Sequence, residues 1–177
     1  MNEFGEPVLG RRPRKGRSTR YQPLVMLLVC LGAVLFQVYV PLFSQYFAYL
    51  ELPLLVTVYF ALTKRNPIAG LFIGCAVGLL QDSLAAHPIG LFGMVKTLIG
   101  YFAASVSMRF DVDNPILRAI LAFFFFTFHQ AFLWLLTSAL LGQAAILDLP
   151  QMFLLAGLNA AVALPLFAVL DKMKERA

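Results

Sequence analysis

The chain has 177 residues, of which 60% are hydrophobic and 13% are charged, and its formal net charge is +5. An ordinary globular domain carries about 25% charged residues, so this composition excludes a water-soluble fold and makes lipid the solvent for much of the surface. The length fits one compact domain.

Residues 1–20 are predicted to form a basic cytoplasmic tail. They hold six of the lysines and arginines against Glu3 and Glu6, with glycines, prolines and almost no apolar residues. This composition is typical of disordered segments. A basic run can bind nucleic acid, but next to an apolar segment it favours anionic lipid headgroups, at about 1 kcal/mol per basic residue. We therefore predict lipid contact and no nucleic-acid partner.

Prolines and apolar runs predict six transmembrane helices in one domain over residues 21–172, followed by a cytoplasmic C-terminus at 173–177. Asn66 and Asn114 each precede a proline, which supplies an N-cap followed by a first helical residue that needs no N–H. The predicted helices cover residues 22–41, 50–63, 67–82, 89–108, 115–141 and 151–171. The second and third are shorter than the about 20 residues that cross a bilayer core. The fold class is an all-α membrane protein with a six-helix bundle.

The distribution of basic residues predicts the orientation of this bundle. If the N-terminus is cytoplasmic, thirteen of the fourteen lysines and arginines fall on the cytoplasmic side. The connections on the other side, around 42–50, 83–88 and 142–150, hold none, and acids mark that side: Glu51, Asp82 and Asp148. Because basic residues concentrate in cytoplasmic loops, both termini are predicted inside, with six crossings.

Glycines recur every four residues along the third predicted helix, at Gly70, Gly74 and Gly78. They leave one face without side chains, which lets another helix approach closely. The first interpretation is packing within the bundle, with a small-residue face of the sixth helix as a plausible mate: Ala156, Gly157, Ala160, Ala161 and Ala163. Contact with a second protein is the alternative.

Asp82 and Lys96 are the costliest residues to place in a membrane. Lys96 lies about two turns into the fourth helix, where an unpaired ammonium costs roughly 2.5–3.5 kcal/mol on insertion scales. The short turn after Asp82 brings the third and fourth helices together antiparallel, so we predict an ion pair between the two. The pair can be structural, or part of a proton relay, ion relay or ligand site; a snorkelling lysine is a further alternative.

Polar residues also occur inside the last two helices. His129 and Gln130 fall near the middle of the fifth helix, after a run of phenylalanines, and Asn159 lies in the sixth. Such residues usually hydrogen-bond to a neighbouring helix, and a histidine can also shuttle protons. The phenylalanines favour lipid contact or docking of a single-pass partner helix.

Motifs of catalytic chemistry are missing from the sequence. It contains no H-E-x-x-H, no G-x-S-x-G, no P-loop and no paired intramembrane aspartates. Cys30 and Cys75 have no metal-ligand spacing. We therefore predict that the protein is not an enzyme and has no cofactor and no metal.

One segment of the sequence resembles a known family. A G-x-x-x-D turn, a P-x-G helix start and a later Gly-Tyr are similar to those of the bacterial rod shape-determining MreD family, with overall size, basic tail and hydrophobic layout in agreement. The matching positions are Gly78, Asp82, Pro88, Gly90 and Gly100. The resemblance implies a fold like that of the vitamin-binding S-components of energy-coupling-factor transporters.

The same resemblance implies a function. It suggests a non-enzymatic inner-membrane scaffold of the cell-elongation complex, which determines rod shape through lateral peptidoglycan synthesis. Its implied partner is the transmembrane helix of the bitopic protein MreC, and through it MreB and the peptidoglycan glycosyltransferase and transpeptidase. A substrate-binding membrane subunit of a small-molecule transporter is the second hypothesis, with Asp82, Lys96 and Asn159 lining a ligand pocket.

Overall fold

The computed structural model describes residues 23–43, 45–85, 88, 90–142 and 148–175, and these form helices and turns without a β-strand. The α-helices are α1 Pro23–Tyr39, α2 Leu52–Lys64, α3 Pro67–Leu84, α4 Leu91–Ser107, α5 Pro115–Leu141 and α6 Leu149–Glu175. Two 3₁₀-helices, Val40–Leu42 and Gln45–Tyr49, connect α1 to α2. The all-helical fold class is confirmed. The predicted basic tail at 1–20 and the last two residues lie outside the described part of the chain.

Two of the helix starts follow directly from asparagine-proline pairs. The Asn66 side chain accepts hydrogen bonds from the backbone N–H groups of Ile68 and Ala69, at 3.0 and 3.3 Å. Asn114 accepts one from Ile116 at 2.9 Å. Each side chain satisfies backbone donors that have no partner within the helix, so the predicted N-caps are confirmed.

Five helical stretches are long and apolar enough to cross a membrane: Pro23–Leu42, Tyr46–Lys64, Pro67–Leu84, Pro115–Leu141 and Leu149–Met173. The second includes the 3₁₀-helix before α2, and so spans 19 residues although α2 itself is short. The 3₁₀-helix thus supplies the length that the predicted second helix, residues 50–63, lacks for crossing a bilayer core. The predicted ends shift elsewhere too: α6 begins at Leu149 and continues through Pro165 to Glu175. The sixth apolar helix, α4, has 17 residues.

α2 is the central helix of the bundle. Every residue from Pro53 to Leu62 is buried, and α2 packs against α1, α3 and α4 and more lightly against α5 and α6. By contrast, α1 buries only Cys30, Ala33 and Val34. In a membrane the other face of α1 is suited to contact with lipid.

An ionic network joins three helices at one end of the bundle. Arg118 of α5 pairs with Asp171 of α6 and donates from Nε to the Val112 carbonyl at 2.6 Å. Arg118 binds Oδ2 of Asp171, and the Tyr59 hydroxyl of α2 donates to Oδ1 of the same carboxylate at 2.8 Å. We call this the Arg118 end, and the opposite end, where α1 leads into α2, the Glu51 end.

Candidate functional site: a buried polar cluster at the Glu51 end

Lys96 places a fully buried ammonium between helices. Its Nζ donates to Oε1 of Gln81 in α3 at 2.5 Å and lies 3.6 Å from Oε2 of Glu51, just before α2. It also lies 4.6 Å from the centroid of the Phe92 ring. The Lys96 side chain is 0% exposed and that of Glu51 14%. A carboxylate, an amide oxygen and an aromatic face together compensate the loss of water around the charge.

Asp82 has a different role from the one predicted. Its carboxylate accepts hydrogen bonds from the backbone N–H groups of Gly90, Phe92 and Gly93 at 2.9, 3.1 and 3.0 Å. It therefore caps the N-terminus of α4, where unpaired N–H groups and the helix dipole both favour a negative charge. Among the described residues, Lys96 forms its salt bridge with Glu51 and not with Asp82. The predicted pair is wrong because both Asp82 oxygens are engaged by the start of α4.

Gly90 provides the turn that makes this cap possible. Its φ of +102° lies in the left-handed region, which residues with side chains adopt only with strain. The Gly90 N–H points at Asp82. The Pro-x-Gly pattern of the sequence thus brings the first turn of α4 onto the end of α3.

We expect Asp82→Ala to lower the free energy of unfolding by about 1–3 kcal/mol, because it leaves backbone donors without an acceptor. Reversible unfolding in detergent, followed by circular dichroism, measures the loss. Ser83→Ala is the matched control, since the Ser83 hydroxyl donates only to Leu79 within its own helix and is exposed; its effect stays within about 0.5 kcal/mol. Equal stability of the two variants would contradict the capping role.

The glycine stripe of α3 packs against α4. A Cβ built at Gly70, Gly74 or Gly78 would overlap backbone atoms of the facing helix. In that order, the carbonyl oxygens met are those of Gly100, Lys96 and Phe92. Gly100 faces the Gly70 carbonyl in the same way. Within the described residues the stripe therefore packs inside the bundle, and its mate is α4 and not α6, because the short connection after α3 sets the two helices side by side.

Asn159 fixes the backbone at Glu51. Its Oδ1 accepts the Glu51 N–H at 2.9 Å, and its Nδ2 donates to the carbonyls of Tyr49 and Leu155 at 2.9 and 3.0 Å. The side chain is fully buried. It connects α6 to the segment before α2. The sequence predicts instead a hydrogen bond to a neighbouring helix. With both ends of its amide engaged, Asn159 is a positioning residue for Glu51.

His129 is buried next to the charged pair. Its ring stacks on Phe92 with centroids 5.8 Å apart and planes at 21°. The residue is 0% exposed, and neither Nδ1 nor Nε2 has a hydrogen-bond partner among the described residues. The predicted hydrogen bond to a neighbouring helix is therefore not formed within that part of the chain. The next residue, Gln130, is half-buried.

The model of the family "rod shape-determining protein MreD" matches residues 18–173, which includes nearly the whole of the six-helix bundle. The chain belongs to the MreD family. It is a multi-pass membrane protein of a family that determines rod shape. No curated protein and no solved structure matches the chain.

In this MreD family member, the residues that carried the sequence resemblance have defined structural roles. Gly78 and Gly100 are at the close contact of α3 with α4, Asp82 caps α4, and Gly90 makes the turn between them. The motif residues of the resemblance therefore belong to one hairpin, in which two helices meet backbone to backbone.

Two partners of the buried Lys96 ammonium, Glu51 and Gln81, are not predicted from the sequence. From the sequence, Glu51 only marks one side of the membrane, and Gln81 has no predicted role. A polar residue inside an apolar helix, one position before Asp82, was the available signal for Gln81. The sequence held no signal for Glu51, since its approach to Lys96 depends on how the connection before α2 folds.

The phenylalanine run of α5 divides between the core and the exposed surface of this MreD family member. Phe125 and Phe126 are buried, whereas Phe124 is 56% exposed. Phe124, Phe128 and Phe132 stack in sequence along α5 with centroids 6.5 and 5.7 Å apart. Only one side of the run therefore forms the apolar surface that the sequence suggested.

Proposed function

We propose that this protein is a non-enzymatic scaffold of the cell-elongation complex in the bacterial cytoplasmic membrane, where it binds the transmembrane helix of MreC. The observation that carries the proposal is the family match over residues 18–173. Through MreC, the scaffold connects with MreB and with the glycosyltransferase and transpeptidase of lateral peptidoglycan synthesis. Both termini are cytoplasmic in this proposal, and the basic tail contacts anionic lipids.

The architecture supports a scaffold in two respects. The bundle has a rigid core, because α3 and α4 touch through backbone atoms and the buried charges hold the ends of helices in place. Its lipid-facing surface is apolar, with large exposed side chains on α1, α5 and α6 such as Leu27, Phe124 and Leu154. Helices associate in lipid by packing and not by hydrophobicity, so a rigid surface of fixed shape is what a partner helix requires.

Site-specific photo-crosslinking in native membranes tests the proposal. A photoreactive residue at Leu27, Phe124 or Leu154 reports on the faces of α1, α5 and α6. We expect an adduct with MreC from at least one of these positions. A photoreactive residue at Phe126, which is fully buried, is the matched control and should give none. Absence of MreC from all three faces, together with its absence from the protein purified out of native membranes, would overturn the proposal.

A substrate-binding subunit of a transporter remains the second candidate function. It is favoured by one observation, the buried polar atoms of Glu51 and His129 that have no hydrogen-bond partner among the described residues. In this alternative the bundle resembles a transporter S-component and associates with a pair of ATPases. Recovery of such a pair in place of MreC from native membranes would favour it over the scaffold.

A further inference from the structure

Aromatic and aliphatic side chains cover the connection between α1 and α2 and are exposed there. Phe43 is 91% exposed and Tyr46 is 84% exposed. Between residues 39 and 50 the sequence contains no lysine, arginine, aspartate or glutamate. A group of exposed apolar side chains in one place is typical of a surface that contacts a membrane or another molecule. We define the 39–49 surface by its exposed side chains: Tyr39, Leu42, Phe43, Tyr46, Phe47 and Tyr49.

The 39–49 surface has a fixed place in the fold. The two 3₁₀-helices that carry it pack against each other. The Phe47 ring meets the Phe36 ring of α1 edge to face, with centroids 5.8 Å apart. At the other end of the connection, Nδ2 of Asn159 in α6 donates to the Tyr49 carbonyl at 2.9 Å. The connection is therefore held to α1 at one point and to α6 at another.

Two membrane-crossing stretches meet at the 39–49 surface. Pro23–Leu42 ends within it and Tyr46–Lys64 begins within it, with lengths of 20 and 19 residues. About 20 residues cross the hydrocarbon core of a bilayer, so both stretches reach the membrane boundary here. Tyrosine is enriched at that boundary, because its apolar ring carries a polar hydroxyl. The exposed rings are thus placed where headgroups meet acyl chains.

The lack of charge distinguishes this surface from one that binds anions. Anionic headgroups and acidic proteins are bound by lysine and arginine, which the 39–49 surface does not have. Basic residues occur instead in the connections toward the opposite end of the bundle, at Lys64, Arg65 and Arg109. A neutral surface binds a membrane through the apolar area that it buries between headgroups and acyl chains.

We propose that the 39–49 surface inserts into the lipid interface at the Glu51 end, with the rings of Phe43 and Tyr46 between the headgroups and the upper acyl chains. This contact anchors the connection between α1 and α2 in the membrane and does not require anionic lipid. It goes beyond the scaffold function and does not depend on it.

Tryptophan fluorescence of the full-length protein in nanodiscs tests the depth of the surface. The chain has one tryptophan, so Trp134→Phe provides a background to which Phe43→Trp is added. The nanodiscs contain phosphatidylcholine brominated either near the headgroup end or near the methyl end of the acyl chain. We expect the fluorescence of Phe43→Trp to be quenched more strongly by bromine near the headgroup end.

Phe124→Trp, at an exposed position in the interior of α5, is the matched control and shows the opposite preference. Identical preferences of the two variants would overturn the proposal. Quenching of Phe43→Trp by aqueous acrylamide and by neither brominated lipid would also overturn it, and would indicate a protein partner for the surface. If Phe43→Trp does not fold, Tyr46→Trp gives the depth at a second position.

Lipid composition tests the neutral character of the contact. Replacing part of the phosphatidylcholine with phosphatidylglycerol leaves the quenching of Phe43→Trp unchanged, because the surface has no basic residue to bind the added negative charge. Insertion that requires phosphatidylglycerol would contradict the proposed mode of binding.

Two paired substitutions test whether the exposed rings hold the surface in the lipid, with Phe47→Trp as the reporter. Phe43→Ser together with Tyr46→Ser raises the quenching by acrylamide and lowers the quenching by bromine near the headgroup end. Ile116→Ser together with Ile120→Ser removes exposed side chains near the opposite end of the bundle and leaves both signals unchanged. Loss of the two rings without any change in depth would refute their anchoring role.

Discussion

Replacing Lys96 with methionine lowers the free energy of unfolding by about 3–5 kcal/mol, because the largely buried Glu51 carboxylate loses the ammonium that balances it. The amide oxygen of Gln81 loses its donor in the same variant. Reversible unfolding of the purified protein in mixed detergent micelles measures the change.

Double variants identify the partner of Lys96. Lys96→Met with Glu51→Gln recovers most of the lost stability, because no unbalanced charge remains. Lys96→Met with Asp82→Asn does not, and the two costs add, because Asp82 acts on the first turn of α4. Stronger coupling of Lys96 to Asp82 than to Glu51 in these cycles would show that the assignment is wrong.

Replacing Gly74 with alanine lowers the free energy of unfolding by about 3 kcal/mol, at the upper end of the usual cost of overpacking. The added Cβ overlaps the backbone carbonyl of Lys96, which cannot rotate away as a side chain would. α3 and α4 must separate, and the separation also stretches the bond from Lys96 to Gln81. The same unfolding measurement applies.

Gly157→Ala is the matched control for this variant. Gly157 is also a helical glycine, in α6, but a Cβ built there has nothing within 4 Å. Alanine is the better helix former by about 1 kcal/mol, so this variant is at least as stable as the wild type. If Gly74→Ala and Gly157→Ala were equally stable, the close contact of α3 with α4 would be refuted.

Features of the fold that depend on near neighbours in the sequence were predictable. Asn66 and Asn114 cap the helices that follow them because an asparagine before a proline needs no distant residue to form the cap. The glycine spacing of α3 likewise predicted a close helix contact, since a repeat of four residues always falls on one face. The apolar runs located each of the six described α-helices, with errors of a few residues at the ends, but not the two 3₁₀-helices between α1 and α2.

Contacts between distant parts of the chain were not predictable in the same way. Asp82 was the nearest acid across the turn from Lys96, but the free N–H groups at the start of α4 were nearer to it still. The partner of Lys96 also depends on which side of α3 faces it, and Gln81 lies on that side. The absence of a hydrogen-bond partner for the His129 nitrogens among the described residues depends on the packing of α4 against α5, which no local sequence pattern indicates.

The position of Lys96 in α4 has a consequence for biogenesis. α4 has 17 residues and carries a lysine in its interior, so as an isolated segment it is a poor substrate for release from the translocon into lipid. α3 precedes it in synthesis and offers both a glycine face and the Gln81 oxygen. We expect the two helices to leave the translocon as a preassembled hairpin, and α4 to stall there when its glycine contacts with α3 are blocked.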